Sequence, residues 1–95
     1  MAFKVLFSNE ARLDLHEYTE YYYKNAGKKI AKNFYGEVRQ TIRILKQNPY
    51  FQISHDAFRK VLLKKFPFII FYTIIDDNIL IVRIFHTSQN PEKYP

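Results

Sequence analysis

Six polar residues in the second half of the chain have side chains suited to acid–base or phosphate chemistry. They are Arg59, Lys60, Lys64, Lys65, Arg83 and His86. Cations stabilise negative charge that develops during a reaction, and histidine exchanges protons near neutral pH. Structural roles are equally open, since Arg83 could form a salt bridge and His86 could hydrogen-bond a carbonyl. Lys64 and Lys65 fit an exposed turn between strands.

Other kinds of site find little support in the sequence. The chain has no cysteine, and His16, His55 and His86 show no metal-ligand spacing. Two glycines in all leave no glycine-rich loop for a nucleotide phosphate, and no Ser/His/Asp arrangement stands out. We therefore expect neither a metal nor a cofactor.

The positive charge is concentrated in one segment. The formal net charge is +6, and residues 25–48 carry six cations against Glu37 alone. Five of these cations recur at helical spacing, on a stripe predicted to lie roughly opposite the apolar face of the same helix. They are Lys28, Lys32, Arg39, Arg43 and Lys46. Such a stripe is typical of a solvated helix surface, or of a surface that follows phosphates or an acidic partner.

The length and composition of the chain limit the kind of fold that can carry these residues. The chain has 95 residues, of which 47% are hydrophobic and 18% aromatic, so residues 1–95 are predicted to form one domain. The start of the chain lacks the apolar stretch of a signal peptide. The longest apolar run, residues 66–75, is too short to span a bilayer. We expect a cytoplasmic protein without a membrane segment.

Hydrophobic periodicity predicts two helices and four strands. Ser8 is a candidate N-cap, Gly27 ends the first helix, and residues 49–57 are predicted to be a loop. The predicted elements are a strand at 3–7, helices at about 9–24 and from 28 to before Asn48-Pro49, and strands at 58–63, 68–75 and 79–85. The fold class is α+β in the order β-α-α-β-β-β, with an antiparallel helix hairpin on one face of a largely antiparallel four-stranded sheet.

The last two predicted strands are apolar on both faces, which is unusual for an antiparallel meander. In the strand 68–75, Ile69 and Phe71 oppose Ile70 and Tyr72. In the strand 79–85, simple alternation places Phe85 with Ile79 and Ile81. The helices can cover one face only. We expect the other to meet a partner or a second copy, with the tail and the loop 49–57 as the alternative cover.

The order of several short motifs resembles toxins of the RelE/ParE superfamily, which includes plasmid stabilisation proteins. The similarity runs from Ser8, Ala11 and Asp14-Leu15 to Asn48-Pro49. It is strongest over residues 59–68, and it continues through the Asp76-Asp77 turn to the closing segment 86–93. The resemblance implies the toxin of a bacterial type II toxin–antitoxin pair, bound by a cognate antitoxin that wraps the sheet and helices.

Two activities are known among such toxins, so the resemblance leaves open whether this chain is an enzyme. ParE-like members inhibit growth through DNA gyrase, which we favour because the helix hairpin is long. RelE-like members cut mRNA on the ribosome, and that activity would make Arg59, Arg83 and His86 catalytic. Target or nucleic-acid binding would fall to Lys60, Lys64, Lys65 and Tyr94.

One position departs from the pattern of many relatives. They carry an arginine immediately before the Asx-Pro of the tail, where this chain has Gln89 before Asn90-Pro91. Glutamine supplies no charge for phosphate chemistry. An attenuated, non-toxic module that still binds its antitoxin is therefore a third alternative. Without the antitoxin, we expect self-association through the uncovered apolar face.

Overall fold

The computed structural model describes residues 3–50, 53–55 and 58–88, with the backbone alone for residues 53–55. The elements are β1 (Lys4–Phe7), α1 (Asn9–Ala26), α2 (Lys28–Gln47), β2 (Ile53–His55), β3 (Phe58–Leu62), β4 (Phe68–Ile75) and β5 (Asn78–His86). The strands form one sheet in the order β1-β5-β4-β3-β2, in which β1 runs parallel to β5 and the other neighbours are antiparallel. The predicted α+β class and element order are confirmed.

The segment predicted as a loop at 49–57 contains the short strand β2, so that part of the prediction is wrong. β2 pairs with the start of β3 through Ile53 and His55, with an irregular register between them. A three-residue strand is too short to show alternation in the sequence, because its pairing depends on backbone groups. Just before it, the carbonyl of Pro49 accepts a hydrogen bond from the Tyr72 hydroxyl at 2.7 Å.

The ends of α1 are set by the two residues that the sequence indicated. The Ser8 hydroxyl accepts a hydrogen bond from the Ala11 N–H at 3.0 Å and donates one to the Val82 carbonyl at 2.7 Å. The cap therefore also ties α1 to β5. Gly27 ends the helix at φ 97°, a conformation that a side chain disfavours, and α2 begins at the next residue. Neither of these two described helices is long and apolar enough to cross a membrane.

The main core lies between the helix hairpin and one face of the sheet. Phe34 of α2 is fully buried, with its ring 4.8 Å from that of Phe68 on β4. Tyr22 of α1 packs against both of these rings, and Phe66 packs against the rings of Phe34 and Tyr22. A cluster of four rings thus lies under the hairpin beside the aliphatic residues of the core, in line with the aromatic content of the sequence.

A β-bulge at Val82 changes the faces predicted for β5. Phe71 pairs with Arg83 and Tyr72 with Ile81, so Val82 is the extra residue. Ile79, Ile81 and Ile84 therefore all face the helices, whereas Phe85 lies on the opposite side, which we call the outer face. The prediction that Phe85 shares a face with Ile79 and Ile81 is wrong, because a bulge reverses the alternation that follows it.

The centre of the outer face is buried within the single chain. Ile69, Phe71 and Phe85 form a second apolar cluster there, and Phe71 has no exposed surface. The expectation of an uncovered apolar face is therefore wrong for its centre. The tail and most of the 49–57 segment, proposed as alternative covers, lie outside the described residues. What remains exposed is an apolar rim on the outer face at Leu6, Leu62 and Ile75.

Candidate functional site

Arg83 lies on the outer face of β5 and is held by an acid of α1. Its Nε donates to Oδ2 of Asp14 at 2.8 Å, and Nη2 donates to Oδ1 at 3.0 Å. Two parallel bonds between a guanidinium and a carboxylate fix the geometry as well as the charge. Of the two interpretations of Arg83 open in the sequence, the structure shows the salt bridge.

Asp14 also completes the hydrogen bonding of β5. β1 pairs with β5 only as far as Ile81, and Oδ2 of Asp14 accepts the backbone N–H of Ile84 at 2.9 Å beyond that point. The Asp14 side chain is 11% exposed, against 33% for Arg83. A carboxylate so far from water needs these donors, because burying an unpaired charge is costly. We call this arrangement the α1–β5 clamp: Asp14, Arg83 and the Ile84 N–H.

The clamp keeps Arg83 protonated. The hydrogen bond to Asp14 raises the pKa of Arg83 above its ordinary value, and partial burial opposes that rise without cancelling it. The guanidinium also lies over the ring of Phe85, with Cζ 4.4 Å from the ring centroid. This cation–π contact is a second interaction, after the salt bridge, that holds the guanidinium in place.

Tyr18 and His86 meet at the end of β5, next to the clamp. Burial is the main reason that the pKa of Tyr18 is raised, and a backbone hydrogen bond from His86 partly offsets it. Nδ1 of His86 accepts the Ser88 N–H at 3.1 Å and lies 2.6 Å from the Ser88 hydroxyl. The proton of the neutral ring is therefore assigned to Nε2. The ring of His86 packs edgewise on Phe68 at 5.0 Å.

The structure does not bring Arg59, Arg83 and His86 into one site. Arg59 pairs with Tyr72, whose side chain faces the helices, whereas Arg83 lies on the outer face. His86 pairs with Phe68, four residues along β4 from Tyr72. Standard strand geometry separates Arg59 and His86 by about 13 Å along the sheet and about 10 Å across it. The Arg59 guanidinium lies 5.4 Å from the ring centroid of Tyr50.

The residue aligned with Arg83 is Lys60. Lys60 pairs with Phe71 on β4, and Phe71 pairs with Arg83 on β5. The three residues form a row across the outer face, with the Cα atoms of Lys60 and Arg83 about 10 Å apart on either side of the buried Phe71. Cations of β3 and β5 therefore share a surface, and the β3 residue in this row is Lys60, not the predicted Arg59.

Lys64 and Lys65 are exposed at the turn between β3 and β4, as expected. The Lys65 backbone N–H donates to both carboxylate oxygens of Glu37, at 2.9 and 3.2 Å, which ties the turn to α2. A groove of about 730 Å³ lies beside this contact, between α2 and β3. Tyr94 and Gln89 lie outside the described residues.

Asp14 is the residue of this region that sequence reasoning missed. The sequence indicates Asp14 only as part of the motif Asp14-Leu15, with no role for its side chain. The available signal was a pair of opposite charges that each interrupt an apolar pattern, one beside Leu15 and one between Val82 and Ile84. Among residues 3–50, 53–55 and 58–88, no three His, Cys, Asp or Glu side chains come together as a metal site would require.

The sequence matches one protein family over nearly its whole length. Residues 5–91 match the family described as ParE toxin of type II toxin-antitoxin system, parDE. A search of curated proteins found no match.

Solved structures with the same fold come from toxin–antitoxin systems. The chromosomal ParDE system of P. aeruginosa superposes with a TM-score of 0.81 at 19% identity, covering 92% of this chain and 98% of that one. The RelBE2 complex of Mycobacterium tuberculosis gives 0.61 at 18% identity, covering 90% and 99%. The isolated RelE toxin of E. coli gives 0.63 at 10% identity, covering 96% and 90%. At these identities the similarity shows the fold alone.

Proposed function

This chain belongs to the ParE toxin family of type II toxin–antitoxin systems, and we propose that it arrests growth by inhibiting DNA gyrase until a cognate antitoxin binds it. One observation carries the choice of target. The cation on β5 that an RNase would use, Arg83, donates from two of its three guanidinium nitrogens to Asp14 and lies on the opposite sheet face from Arg59. A gyrase inhibitor works by binding and needs no converging catalytic groups.

A supercoiling assay tests the target directly. The purified chain is added to DNA gyrase and relaxed plasmid, and we expect supercoiling to stop and cleaved plasmid to accumulate. The same preparation is added to ribosomes that carry a defined message, where we expect no cleavage. Normal supercoiling at saturating protein would reject the gyrase proposal.

The second candidate function is a ribosome-dependent mRNA endonuclease, and the aligned pair Lys60 and Arg83 favours it. Two cationic residues on one face whose Cα atoms lie about 10 Å apart could flank a phosphate that is being cleaved. In that case Lys60→Ala should abolish message cleavage, whereas Lys64→Ala should not. Message left intact by the unaltered protein would remove this candidate.

We also propose where the antitoxin binds. The apolar rim on the outer face, at Leu6, Leu62 and Ile75, surrounds a buried apolar centre and carries Lys60 beside it. An antitoxin segment with apolar and acidic residues would complement that surface. The structures similar to this chain include toxin–antitoxin complexes, which supports a partner of this kind.

Co-expression with the small gene expected next to this one tests the antitoxin proposal. We expect growth arrest by the chain alone and relief by the neighbour. Leu62→Glu should weaken co-purification of the two proteins, because it places an anion on the apolar rim. Leu13→Glu is the matched control, since Leu13 of α1 is exposed to the same degree at 58% against 57%. Equal loss in both variants would contradict the assignment of the outer face.

A further inference from the structure

A second basic surface lies on the helix hairpin, remote from the α1–β5 clamp. Two adjoining hollows of about 330 and 290 Å³ run between α1, α2 and β1. They share Phe7, Leu15 and Tyr35, which form a narrow floor that is largely apolar. We call the two hollows together the hairpin groove.

Basic side chains from both helices line the hairpin groove. All of them are exposed: Arg12 and His16 of α1, and Arg39, Arg43 and Lys46 of α2. None of the described residues that line the groove is acidic. Arg39, Arg43 and Lys46 lie beside Val38 and Ile42 there, so this part of the predicted stripe flanks the apolar face of α2 and does not lie opposite it.

The contacts described for these arginines leave their charge unneutralised. Arg39 lies over the ring of Tyr35 at 5.9 Å, and Arg43 donates to the Gln40 side chain at 2.7 Å, both within α2. Glu37, the acid of this helix, instead accepts the Lys65 N–H beside β3. The groove side of the hairpin therefore concentrates positive potential, which attracts polyanions.

The spacing of the cations fits a phosphate backbone. Arg39 and Lys46 are seven residues apart, or about 10 Å along a helix. One strand of duplex DNA places a phosphate about every 3.4 Å along its axis, so the stripe spans about three phosphates. We propose that the hairpin groove binds the phosphate backbone of double-stranded DNA without base specificity. The proposal goes beyond the proposed function and holds whichever target the toxin has.

An acidic peptide is the competing occupant, and the shape of the groove disfavours it. Peptide recognition anchors side chains in defined pockets. The two hollows, of about 330 and 290 Å³, are close to the low end of ligand pockets, about 300 Å³, and they share three floor residues. A basic groove that lacks deep pockets favours a ligand such as DNA, whose affinity comes mainly from its own negative charge.

The test uses the full chain and a fluorescent DNA duplex of about two helical turns, with anisotropy measured over a salt series. The groove variant is Arg39→Gln with Arg43→Gln, and the matched control is Lys24→Gln with Lys29→Gln, two exposed helix cations outside the groove, which changes the net charge equally. We expect the groove variant to bind at least about tenfold more weakly and its salt slope to fall by about 2. The control should keep the affinity and slope of the unaltered chain.

Three results would overturn the proposal. They are equal weakening in both variants, absence of duplex binding by the unaltered chain, and tighter binding of poly-glutamate than of DNA at the same salt. Two duplexes of unrelated sequence should bind equally, and a strong preference for one would also contradict a backbone contact. Circular dichroism of both variants shows whether they are folded before binding is compared.

Discussion

The arginines of the α1–β5 side and those of the hairpin groove lie in different environments. On the α1–β5 side, Arg83 is two-thirds buried, bound twice by Asp14 and covered by contact with Phe85. On the hairpin groove, Arg39 and Arg43 are exposed and contact neutral side chains of their own helix. The arginine of the first region is paired as a buried charge would be, and the arginines of the second remain accessible to a partner.

The comparison shows that a basic residue in a sequence does not identify a binding site by itself. Whether the cation is removed from water decides whether it contributes to the fold or to binding. A partly buried cation must be paired, and the pair then contributes to the fold. An exposed cation adds little to stability but contributes to the electrostatic field that a partner meets. Four predictions test this difference, in order of decreasing expected effect on stability.

Removing the acid of the α1–β5 clamp should have the largest effect. Asp14→Ala leaves Arg83 and the Ile84 N–H without their acceptor, so we expect the free energy of unfolding to fall by about 3 kcal/mol. Urea denaturation followed by circular dichroism measures it. Asp14→Asn is the control, because it keeps an acceptor for the Ile84 N–H and should cost less. A loss below about 1 kcal/mol in the alanine variant would show that the clamp is not structural.

Changing the shape of the cation at constant charge should have the next largest effect. Arg83→Lys cannot form two parallel bonds with Asp14, so we expect a loss of about 1–2 kcal/mol. Because Arg83 is one-third exposed, water screens part of the interaction. The same substitution at Arg39 should leave the urea midpoint unchanged. Equal effects at both positions would break the comparison between the two regions.

Alkaline pH should weaken the α1–β5 side through Tyr18. Its pKa is raised chiefly by burial, so the folded state holds the phenol proton more tightly than the unfolded chain does. This contribution is complete below the ordinary tyrosine pKa of about 10, and it is lost as pH rises through the higher folded value. Tyr18→Phe should reduce the fall in urea midpoint between neutral pH and pH values above about 10.

Tyr23→Phe is the control for that experiment, because Tyr23 is exposed on the same helix. It should leave the alkaline fall unchanged. At neutral pH, Tyr18→Phe should itself cost about 1 kcal/mol for the hydrogen bond with the His86 backbone. Identical pH profiles for Tyr18→Phe and the unaltered chain would contradict a role for burial of the Tyr18 hydroxyl.

The smallest effect on stability is expected at the hairpin groove. Arg39→Gln with Arg43→Gln should change the free energy of unfolding by less than about 0.5 kcal/mol, since both side chains are exposed. The same protein should lose its affinity for duplex DNA. Measuring both quantities on one preparation separates function from folding. A loss of stability comparable to that of Asp14→Ala would remove the distinction between the regions.

Local signals predicted most of the elements. Ser8 and Gly27 mark the ends of α1 through their capping chemistry, and the apolar run from Phe68 to Ile75 matches β4 residue for residue. The turn before β5 was also predicted, and Asp76 adopts the positive φ of 54° that such turns require. The signals are reliable here because each depends on neighbours in the chain.

The candidate site was predicted less well, because it depends on pairing between distant strands. The sequence suggested Arg59 as the companion of Arg83, but the register between β3 and β4 places Lys60 in that row. The bulge at Val82 then reverses the side on which every later residue of β5 lies. A shift by one residue moves a side chain to the other face, and no local pattern records it.

The α+β order, the helix hairpin, the basic character of the second helix and membership of the ParE toxin family can all be predicted from the amino-acid sequence alone. These properties follow from periodicity, capping and charge along the chain. Three features become visible only in the folded chain: Asp14 binds Arg83, the centre of the outer face is buried, and cations of two helices line one groove. Each of these depends on residues far apart in sequence, which packing alone brings together.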